Sequence, residues 1–463
     1  MHFSIPETVQ ATDDNGSKYW NFHIHVNGVY HCKLRYSQLD KFYEQLRNEF
    51  PDRTPTKLFP GKKLFALTAD QLQERREQLE KFIQHISQDP VIGISDQFND
   101  FFLKAQQNGR EVESKEVTLD IYLMNGNKVT ICVSSIDQTD DVLETAMKKI
   151  GLAEKYFYYF ALFLVERGSD GGINVVRKLQ DFESPYLSLE AVDTPHRIVI
   201  RKNYWNPKYD DDLLEDRIAM NLLYVQITDD MDRGWMLCTD ENKAKIEKLQ
   251  GKGSRKEVLR LARTFKFYGY THYQPCTADY PSEDSVVMMA SGDREFNIRV
   301  RTDEDKMLEG SFKVQRIRSW RLTSLPYADK SNESTKESLQ FAFEYLFGKT
   351  DLRWITIQSN QAIMMSMAMQ GMVDEILREQ QGKGIRTPKP KNSKKRTLST
   401  SSDGGKSAPT PADASNEENT KKQGNKSLIH SSKIQEKARK VRQNKKNAGV
   451  NEVFAEDIGD DDL

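Results

Sequence analysis

The chain has 463 residues, of which 37% are hydrophobic and 30% charged, and its formal net charge at pH 7 is -1. This length suggests about three domains and a tail. Because the net charge is near zero, the overall charge of the chain cannot attract it to nucleic acid or to a membrane. Any such attraction must come from local clusters of charge.

The cysteines and the hydropathy of the chain indicate which kind of protein this is and where it acts. The four cysteines have no metal-ligand spacing, so we expect reduced, buried thiols, no metal site and no cofactor. They are Cys32, Cys132, Cys238 and Cys276. No apolar run reaches the length of a membrane span, and the first residues do not form a signal peptide. We therefore expect a cytoplasmic protein that touches membranes peripherally.

The first predicted elements are a hairpin and a helix. Apolar and polar residues alternate on both sides of Asn27-Gly28, which is the strongest short-range hairpin signal. A helical apolar stripe follows over residues 39–50, and Ser37 with Asp40 predicts a capping box. Arg35 thus lies at a strand end beside the free N–H groups of a helix start, where a phosphate is well held.

A lysine-bearing loop and a second helix come next. Pro60-Gly61-Lys62-Lys63 interrupts the pattern, and Leu64-Phe65 follows as a bare apolar pair. A capping box at Thr68 then starts a helix whose inner stripe runs over residues 72–86. Arg75 is expected to lie off that stripe.

In this order, the Arg-Tyr-Ser signature, the lysine loop and the helix resemble the phox-homology (PX) domain of the sorting nexins. The resemblance implies that Arg35 binds the 3-phosphate of phosphatidylinositol 3-phosphate, that Tyr36 packs on the inositol ring and that Ser37 supports the phosphate. It also implies that Lys62 meets the 1-phosphate and Arg75 the ring hydroxyls. Taken singly, each residue is more often a solvated charge or a helix cap.

The apolar pair in the loop has two interpretations. Leu64 and Phe65 lie where the lipid head would sit, so we expect both side chains to enter the bilayer. The alternative is that Phe65 belongs to the core.

Three further modules follow. A hairpin around Asn125-Gly126, a helix and a strand over residues 160–165 have a ubiquitin-like order, and helices follow from Asp210. Strands then return, including one predicted to run from Phe312 to Leu322, and a helix over residues 361–381 closes the pattern. This is the order of the three lobes of a FERM domain.

Behind a PX domain, these lobes resemble the PX-FERM sorting nexins, which implies an α+β multidomain fold. The third lobe would have a phosphotyrosine-binding or pleckstrin-like (PTB/PH-like) fold. The expected domains are PX at 1–108, a ubiquitin-like (Ras-associating-like) lobe at 115–206, a helical lobe at 207–270, a PTB/PH-like lobe at 271–383, a disordered linker at 384–450 and a C-terminal binding motif at 451–463.

The third lobe holds the candidate peptide site. A strand edge beside an apolar helix can accept an extended peptide as an added strand, and we select Trp320, Val373 and Leu377 as its groove residues. The helix methionines suit an adaptable groove, although most of them are expected in the core. By resemblance, the ligands are Asn-Pro-x-Tyr or Asn-x-x-Tyr motifs in receptor tails of the integrin β and LDL-receptor-family types. We expect the lipid and peptide domains to have separate cores.

The C-terminal end holds two further candidate motifs. By resemblance, Ile458, Gly459 and the terminal Leu463 bind the retriever part of the Commander complex; the alternative is a solubilising acidic tail. Asn451 and Phe454 have the spacing of the cargo motif, so this segment is expected to occupy the protein's own groove and inhibit it.

No sequence motif indicates catalysis. The chain has no Walker-type loop, no His-Glu-x-x-His and no nucleophile elbow, so we expect no enzyme. The predicted function is a monomeric adaptor at the early endosome membrane that recycles receptors to the plasma membrane and protects them from lysosomal degradation. The alternative is a FERM-type linker of membrane and cytoskeleton or a lipid-responsive signalling scaffold.

Overall fold

The computed structural model describes residues 1–63, 66–89, 91–109, 114–167, 173–192, 195–301, 306–328 and 335–388. By its internal contacts the chain divides into two units. Within the described chain, the first unit holds residues 1–347 and 352–388. Of the second unit, the structure describes only the short turn segment 348–351.

The N-terminal module is a three-stranded antiparallel sheet packed against helices. Its elements are β1 (Phe3–Thr12), β2 (Lys18–Val26), β3 (Val29–Arg35), α1 (Tyr36–Glu49), α2 (Ala69–Gln88) and α3 (Asp96–Gly109), with strand order β1-β2-β3. The predicted hairpin is confirmed: Asn27 and Gly28 have φ of 51° and 81°, the left-handed pair that a type I′ turn requires. The capping box is also confirmed, because the Thr68 hydroxyl accepts a 3.3 Å hydrogen bond from the Gln71 N–H.

The first lobe is a mixed five-stranded sheet with a helix across it. Its elements are β4 (Glu116–Tyr122), β5 (Lys128–Ser134), α4 (Thr139–Ile150), β6 (Phe160–Arg167), β7 (Ile173–Lys178), α5 (Pro185–Glu190) and β8 (His196–Lys202), with strand order β5-β4-β8-β6-β7. The β4–β8 pair is parallel, and the other neighbours are antiparallel. This is the predicted ubiquitin-like arrangement.

The second lobe is helical, and the third is a large sheet closed by a long helix. The second lobe contains α6 (Asp210–Leu213), α7 (Arg217–Asp232), α8 (Asp240–Gly251) and α9 (Arg255–Ala262). The third contains β9 (Thr271–His272), β10 (Cys276–Ala278), β11 (Ser285–Gly292), β12 (Glu295–Arg301), β13 (Met307–Lys313), β14 (Ile317–Ala328), β15 (Thr335–Phe347), β16 (Asp351–Gln358) and α10 (Ala362–Gln380). Its strands follow the order β13-β12-β11-β10-β16-β15-β14, and β9 pairs with β11.

Strand β6 explains how the three lobes pack together. Alternate residues of a strand point to opposite faces of the sheet. Phe160, Leu162 and Leu164 belong to the core shared with the second lobe. Ala161, Phe163 and Val165 belong to the core of the third lobe. The continuous apolar run of β6 is therefore what a strand buried on both faces needs.

The core of the PX module contains a ring from the first lobe. Phe182 is 2% exposed, and its ring centroid lies 5.9 Å from those of Phe98 and Phe102. Beside it, the Gln106 side chain accepts a 2.8 Å hydrogen bond from the Ser184 N–H. The PX module and the first lobe thus share packed residues, whereas the PX core and the third-lobe core form separate clusters, as predicted.

The predictions about one third-lobe strand and about the burial of the cysteines are wrong. The strand predicted from Phe312 to Leu322 is two strands, because a 3-10 turn at Val314–Arg316 separates β13 from β14 and sends them to opposite ends of the sheet. The cysteines are free, but they are not all buried: Cys132 is exposed and Cys238 is partly so. Cys132 alternates on β5 with buried residues and faces away from the core.

Candidate phosphate site and peptide groove

Arg35 occupies the junction between β3 and α1. Its backbone is extended, with φ -80° and ψ 154°, and its N–H donates a 2.8 Å hydrogen bond to the Gln38 side chain. The predicted Ser37–Asp40 capping box is wrong, since the helix begins at Tyr36 and its N-cap is Arg35, two residues before Ser37. Ser37 is an exposed residue of the first helical turn.

The Arg35 guanidinium lies over an aromatic ring that the motif did not indicate. Its Cζ is 3.3 Å from the ring centroid of Tyr19. Because Asn21 pairs with Arg35 across the hairpin, Tyr19 is two residues further along the same face of β2. The register shifts between Ile24 and His25, so counting from the Asn-Gly turn would have placed Trp20, and not Asn21, opposite Arg35. Within the described part of the chain, no carboxylate forms an ion pair with Arg35, so its charge is available to an anion.

Tyr36 and Arg75 form the inner wall of the site. The Tyr36 hydroxyl donates a 2.6 Å hydrogen bond to the Pro60 carbonyl, and the Arg75 guanidinium lies 4.2 Å from the Tyr36 ring centroid. Burial, and then the charge of Asp40, raise the pKa of Tyr36. The Tyr36 phenol is therefore neutral and donates a hydrogen bond, and its ring supports the Arg75 guanidinium.

Arg75 does not lie off the helical stripe, as the sequence suggested. It is 8% exposed and shares the buried face of α2 with Leu72 and Leu79. One of its amino groups donates a 3.0 Å hydrogen bond to the Gly61 carbonyl, while its Nε is buried and has no acceptor among the described residues. A buried, incompletely satisfied guanidinium is costly unless a ligand completes its bonding.

Lys62 marks the outer side of the same site. Its Nζ lies 2.9 Å from the Asp40 carboxylate, and its side chain is 70% exposed. The hydrogen bond to Asp40 raises the pKa of Lys62, so the ammonium is charged. The sequence did not indicate Asp40 as its partner. The structure thus brings Tyr36, Lys62 and Arg75 around one loop, with Arg35 and Ser37 on either side of Tyr36 in the chain. Leu64 and Phe65 lie outside the described residues.

The candidate peptide groove lies at the edge of the third-lobe sheet. Among the described strands, β14 pairs with β15 and has no partner on its other side, and α10 contacts both. Trp320 lies opposite Phe343 and, like Val373, is partly buried against the third-lobe core. Leu377 is 39% exposed. An open strand edge next to a helix is the arrangement that strand addition needs.

Four of the five methionines of α10 line the core, and the fifth, Met367, is partly exposed. Met364, Met365, Met369 and Met372 are each at most 4% exposed and belong to the third-lobe cluster. Their flexible side chains fill the space under the sheet.

The opposite side of α10 is fastened by contacts that the sequence did not reveal. Glu375 is 2% exposed and accepts hydrogen bonds of 2.7 Å and 2.9 Å from the N–H groups of Trp205 and Asn206. A Cβ atom at Gly371 would lie 2.8 Å from the Trp205 indole nitrogen, so only glycine permits this approach. One helix thus forms the groove wall and binds the segment between the first and second lobes.

The PX hairpin also contacts α10. A Cβ at Gly28 would come within 3.0 Å of the Ile363 side chain near the start of the helix. The PX module and the groove helix thus touch directly, although their cores are separate.

Other predicted features are outside the described residues or are absent from them. Asn451, Phe454, Ile458, Gly459 and Leu463 lie outside the described residues. Among the helices that the structure describes, none combines the length and apolarity that crossing a bilayer demands. The same part of the chain has no cluster of three or more side chains that could hold a metal.

Comparison with known proteins finds four domain families in succession. The chain matches the PX domain at residues 22–105, the F1 lobe of the sorting nexin 17/27/31 FERM domain at 117–205, the F2 lobe of the sorting nexin 17/31 FERM domain at 206–266 and the sorting nexin 17 FERM C-terminal domain at 269–377.

Full-length relatives are similar throughout the folded region. Sorting nexin-17 of Danio rerio is 46% identical over 394 residues, which cover 83% of each chain. Sorting nexin-31 of Homo sapiens is 34% identical over 379 residues, covering 81% of this chain and 86% of that relative. Among solved structures, the FERM and C-terminal domain complex of Drosophila Merlin matches at 13% identity with a TM-score of 0.37, covering 57% of this chain and 98% of that chain.

Proposed function

This chain belongs to the PX-FERM sorting nexins, and we propose that it is a non-enzymatic adaptor between phosphatidylinositol 3-phosphate and the tails of recycling receptors. Family membership makes it an endosomal sorting adaptor with a lipid-binding PX domain that associates peripherally with the membrane. The phosphoinositide, the cargo motif and the route to the plasma membrane are the proposed part.

The lipid assignment rests on the two arginines of the PX module. Arg35 has no carboxylate partner among the described residues, and Arg75 is buried with an unsatisfied Nε. A phosphorylated inositol would supply acceptors to both, and a planar fork can hold a phosphate through two parallel hydrogen bonds. Lys62 would exchange Asp40 for a second phosphate.

Vesicle binding tests this assignment. Arg35→Ala should weaken binding to vesicles containing phosphatidylinositol 3-phosphate by roughly 1.5–3 kcal/mol, the usual contribution of a charge-assisted hydrogen bond. Arg47→Ala is the matched control, because Arg47 lies in the last turn of the same helix and pairs with Glu44. Unchanged binding by the Arg35 variant, or equal loss in both variants, would reject the site.

Leu64 and Phe65 are proposed to enter the bilayer beside this site. They follow the lysine pair directly in the sequence. Leu64→Ser with Phe65→Ser should release the protein from vesicles and leave thermal unfolding unchanged. A folding defect would instead place Phe65 in the core.

The peptide assignment rests on the free edge of β14 next to α10. An Asn-Pro-x-Tyr peptide would add as a strand, with main-chain hydrogen bonds to β14 and side-chain contacts to Trp320, Val373 and Leu377. Tails of the integrin β and LDL-receptor-family types contain the motif that this groove is proposed to recognise.

Peptide titration tests the groove. Val373→Asp or Trp320→Ala should abolish binding of an Asn-Pro-x-Tyr peptide while vesicle binding is retained. Met307→Asp is the matched control, since Met307 is 50% exposed on β13 at the other end of the same sheet. Loss of binding with Met307→Asp, and not with Val373→Asp, would move the groove to that edge.

The C-terminal residues are proposed to bind the recycling machinery. Leu463, with Ile458 and Gly459, would anchor the retriever part of the Commander complex through its terminal carboxylate. Removing Leu463 should abolish capture of retriever without changing cargo affinity. Capture that persists would reject this role.

Asn451 and Phe454 are proposed to compete with cargo for the groove. A tethered motif acts at roughly millimolar effective concentration, so even a weak one competes. Phe454→Ala in the full-length protein should tighten binding of cargo peptide. Unchanged affinity would reject self-inhibition and leave the Leu463 proposal standing.

A further inference from the structure

A cavity of about 140 Å³ lies where the first and second lobes meet. The β4–β5 turn, parts of β6, β7 and β8, and residues of α7 line it. Its volume equals that of roughly five water molecules, which is enough for one phosphate group. Neither the PX site nor the β14 edge contributes to this cavity.

The lining has an excess of positive charge. Three arginines and one carboxylate line the cavity: Arg167 from β6, Arg197 from β8, and Arg233 and Asp229 from the second lobe. Arg233 and Asp229 pair with each other through bonds of 2.6 Å and 3.1 Å. Among the described residues, Arg167 and Arg197 have no carboxylate within ion-pair distance.

The cavity also provides a rigid and partly apolar wall. The Arg197 guanidinium is held over the Tyr122 ring, 4.7 Å from its centroid. Met124 and Val199, which are 3% and 2% exposed, form part of the floor. A low-dielectric floor strengthens any charge interaction at the mouth, and an arginine fixed on an aromatic ring loses little freedom on binding.

We propose that this cavity binds a phosphate group through Arg167 and Arg197, as part of a soluble inositol polyphosphate or a phosphoinositide head group. Guanidinium groups suit phosphate because their donors match its oxygens in pairs. Asp229 does not oppose the ligand strongly, since Arg233 already neutralises it. This site is independent of the lipid and cargo sites proposed above.

The test uses the full chain with Arg35→Ala, which weakens the PX site. Calorimetric titration with inositol hexakisphosphate probes the soluble source, and flotation with vesicles containing phosphatidylinositol 4,5-bisphosphate probes the membrane source. Adding Arg167→Ala and Arg197→Ala should weaken whichever binding is seen by roughly tenfold or more, because two charge-assisted contacts are lost.

The matched control removes two positive charges elsewhere. Arg217 and Arg260 are exposed residues of α7 and α9 outside the cavity, and replacing both by alanine should leave binding unchanged. If neither probe binds, or if both double variants lose affinity equally, the site does not exist. Should the Arg167/Arg197 variant fail to fold, Arg167→Ala alone, at an exposed position, gives the same decision through a smaller loss.

Discussion

The PX phosphate site and the third-lobe groove differ in how their residues are held. At the phosphate site, the supporting contacts come from nearby in the sequence: Pro60 and Gly61 hold Tyr36 and Arg75. At the groove, the helix that forms one wall is held by backbone donors 169 and 170 residues away in sequence. The first site is therefore assembled within one module, whereas the second depends on the packing of all three lobes.

The largest expected effect concerns the core that the PX module shares with the first lobe. Phe182→Ala removes a ring from the PX core and should cost about 3–5 kcal/mol, as truncating a buried phenylalanine usually does. Amide hydrogen exchange should rise in α3, because Phe98 and Phe102 lose their neighbour.

A matched variant separates this effect from general destabilisation. Phe163→Ala removes a ring of equal size from the same lobe, but from the third-lobe core. Its exchange should rise in the third-lobe strands and not in α3. Identical exchange patterns in the two variants would contradict the shared PX–first-lobe core.

A second change should damage the groove without touching it. Glu375→Ala removes a buried carboxylate and leaves the N–H groups of Trp205 and Asn206 without their acceptor, at a cost of about 2–3 kcal/mol. Urea unfolding measures the cost, and peptide titration should show weaker cargo binding while vesicle binding is retained. Exposed Glu283→Ala is the control. Unaltered peptide affinity would show that the groove does not need this fastening.

Acid should destabilise the attachment of the groove helix. Burial would raise the pKa of Glu379, but hydrogen bonds from Lys208, Arg294 and Tyr209 outweigh it and hold the pKa at about 2, below its ordinary 4.5. Because the pKa of Glu379 is lower in the folded state than in the unfolded state, its ionised carboxylate stabilises the folded protein above pH 4.5. This contribution is lost as the pH falls towards 2.

Glu379→Gln measures that contribution. The difference in thermal midpoint between Glu379→Gln and the unaltered chain should be large at pH 6 and should shrink as the pH falls through this window. Glu283→Gln, at an exposed position of the third lobe, is the control. A difference that does not vary with pH would contradict the role of Glu379.

The smallest expected effect concerns the phosphate site. Asp40→Asn removes the carboxylate that pairs with Lys62 and should strengthen vesicle binding by a few-fold at most, since exposed ion pairs contribute little. Weaker binding would mean that Asp40 positions the lysine for the lipid. Asp52→Asn, at an exposed position beyond α1, is the control.

Sequence patterns predicted most of the fold because the signals were local. The Asn-Gly turn, the Thr68 cap and the continuous apolar run of β6 each produced the expected element. Arg75 was misplaced because the helical stripe was defined by apolar residues alone. The break at Val314–Arg316 was missed because that segment contains neither glycine nor proline.

Contacts between distant residues could not be predicted in the same way. Nothing in the sequence around Glu375 indicates that its acceptors face Trp205 and Asn206, because that pairing exists only once the lobes have packed. Phe182 likewise reads as an ordinary apolar residue in a turn. Its burial against α3 depends on a surface formed by the preceding module.

The ring of Phe182 has a consequence for recombination. A crossover placed between the PX module and the first lobe would leave the transplanted module with a cavity beside Phe98 and Phe102, exposed to solvent. Chimeras joined after α5 would inherit the ring together with its hydrogen-bonded neighbours Ser184 and Ser188. In this chain, the segment that must be transferred to keep the lipid-binding module fully packed is therefore longer than the PX fold itself.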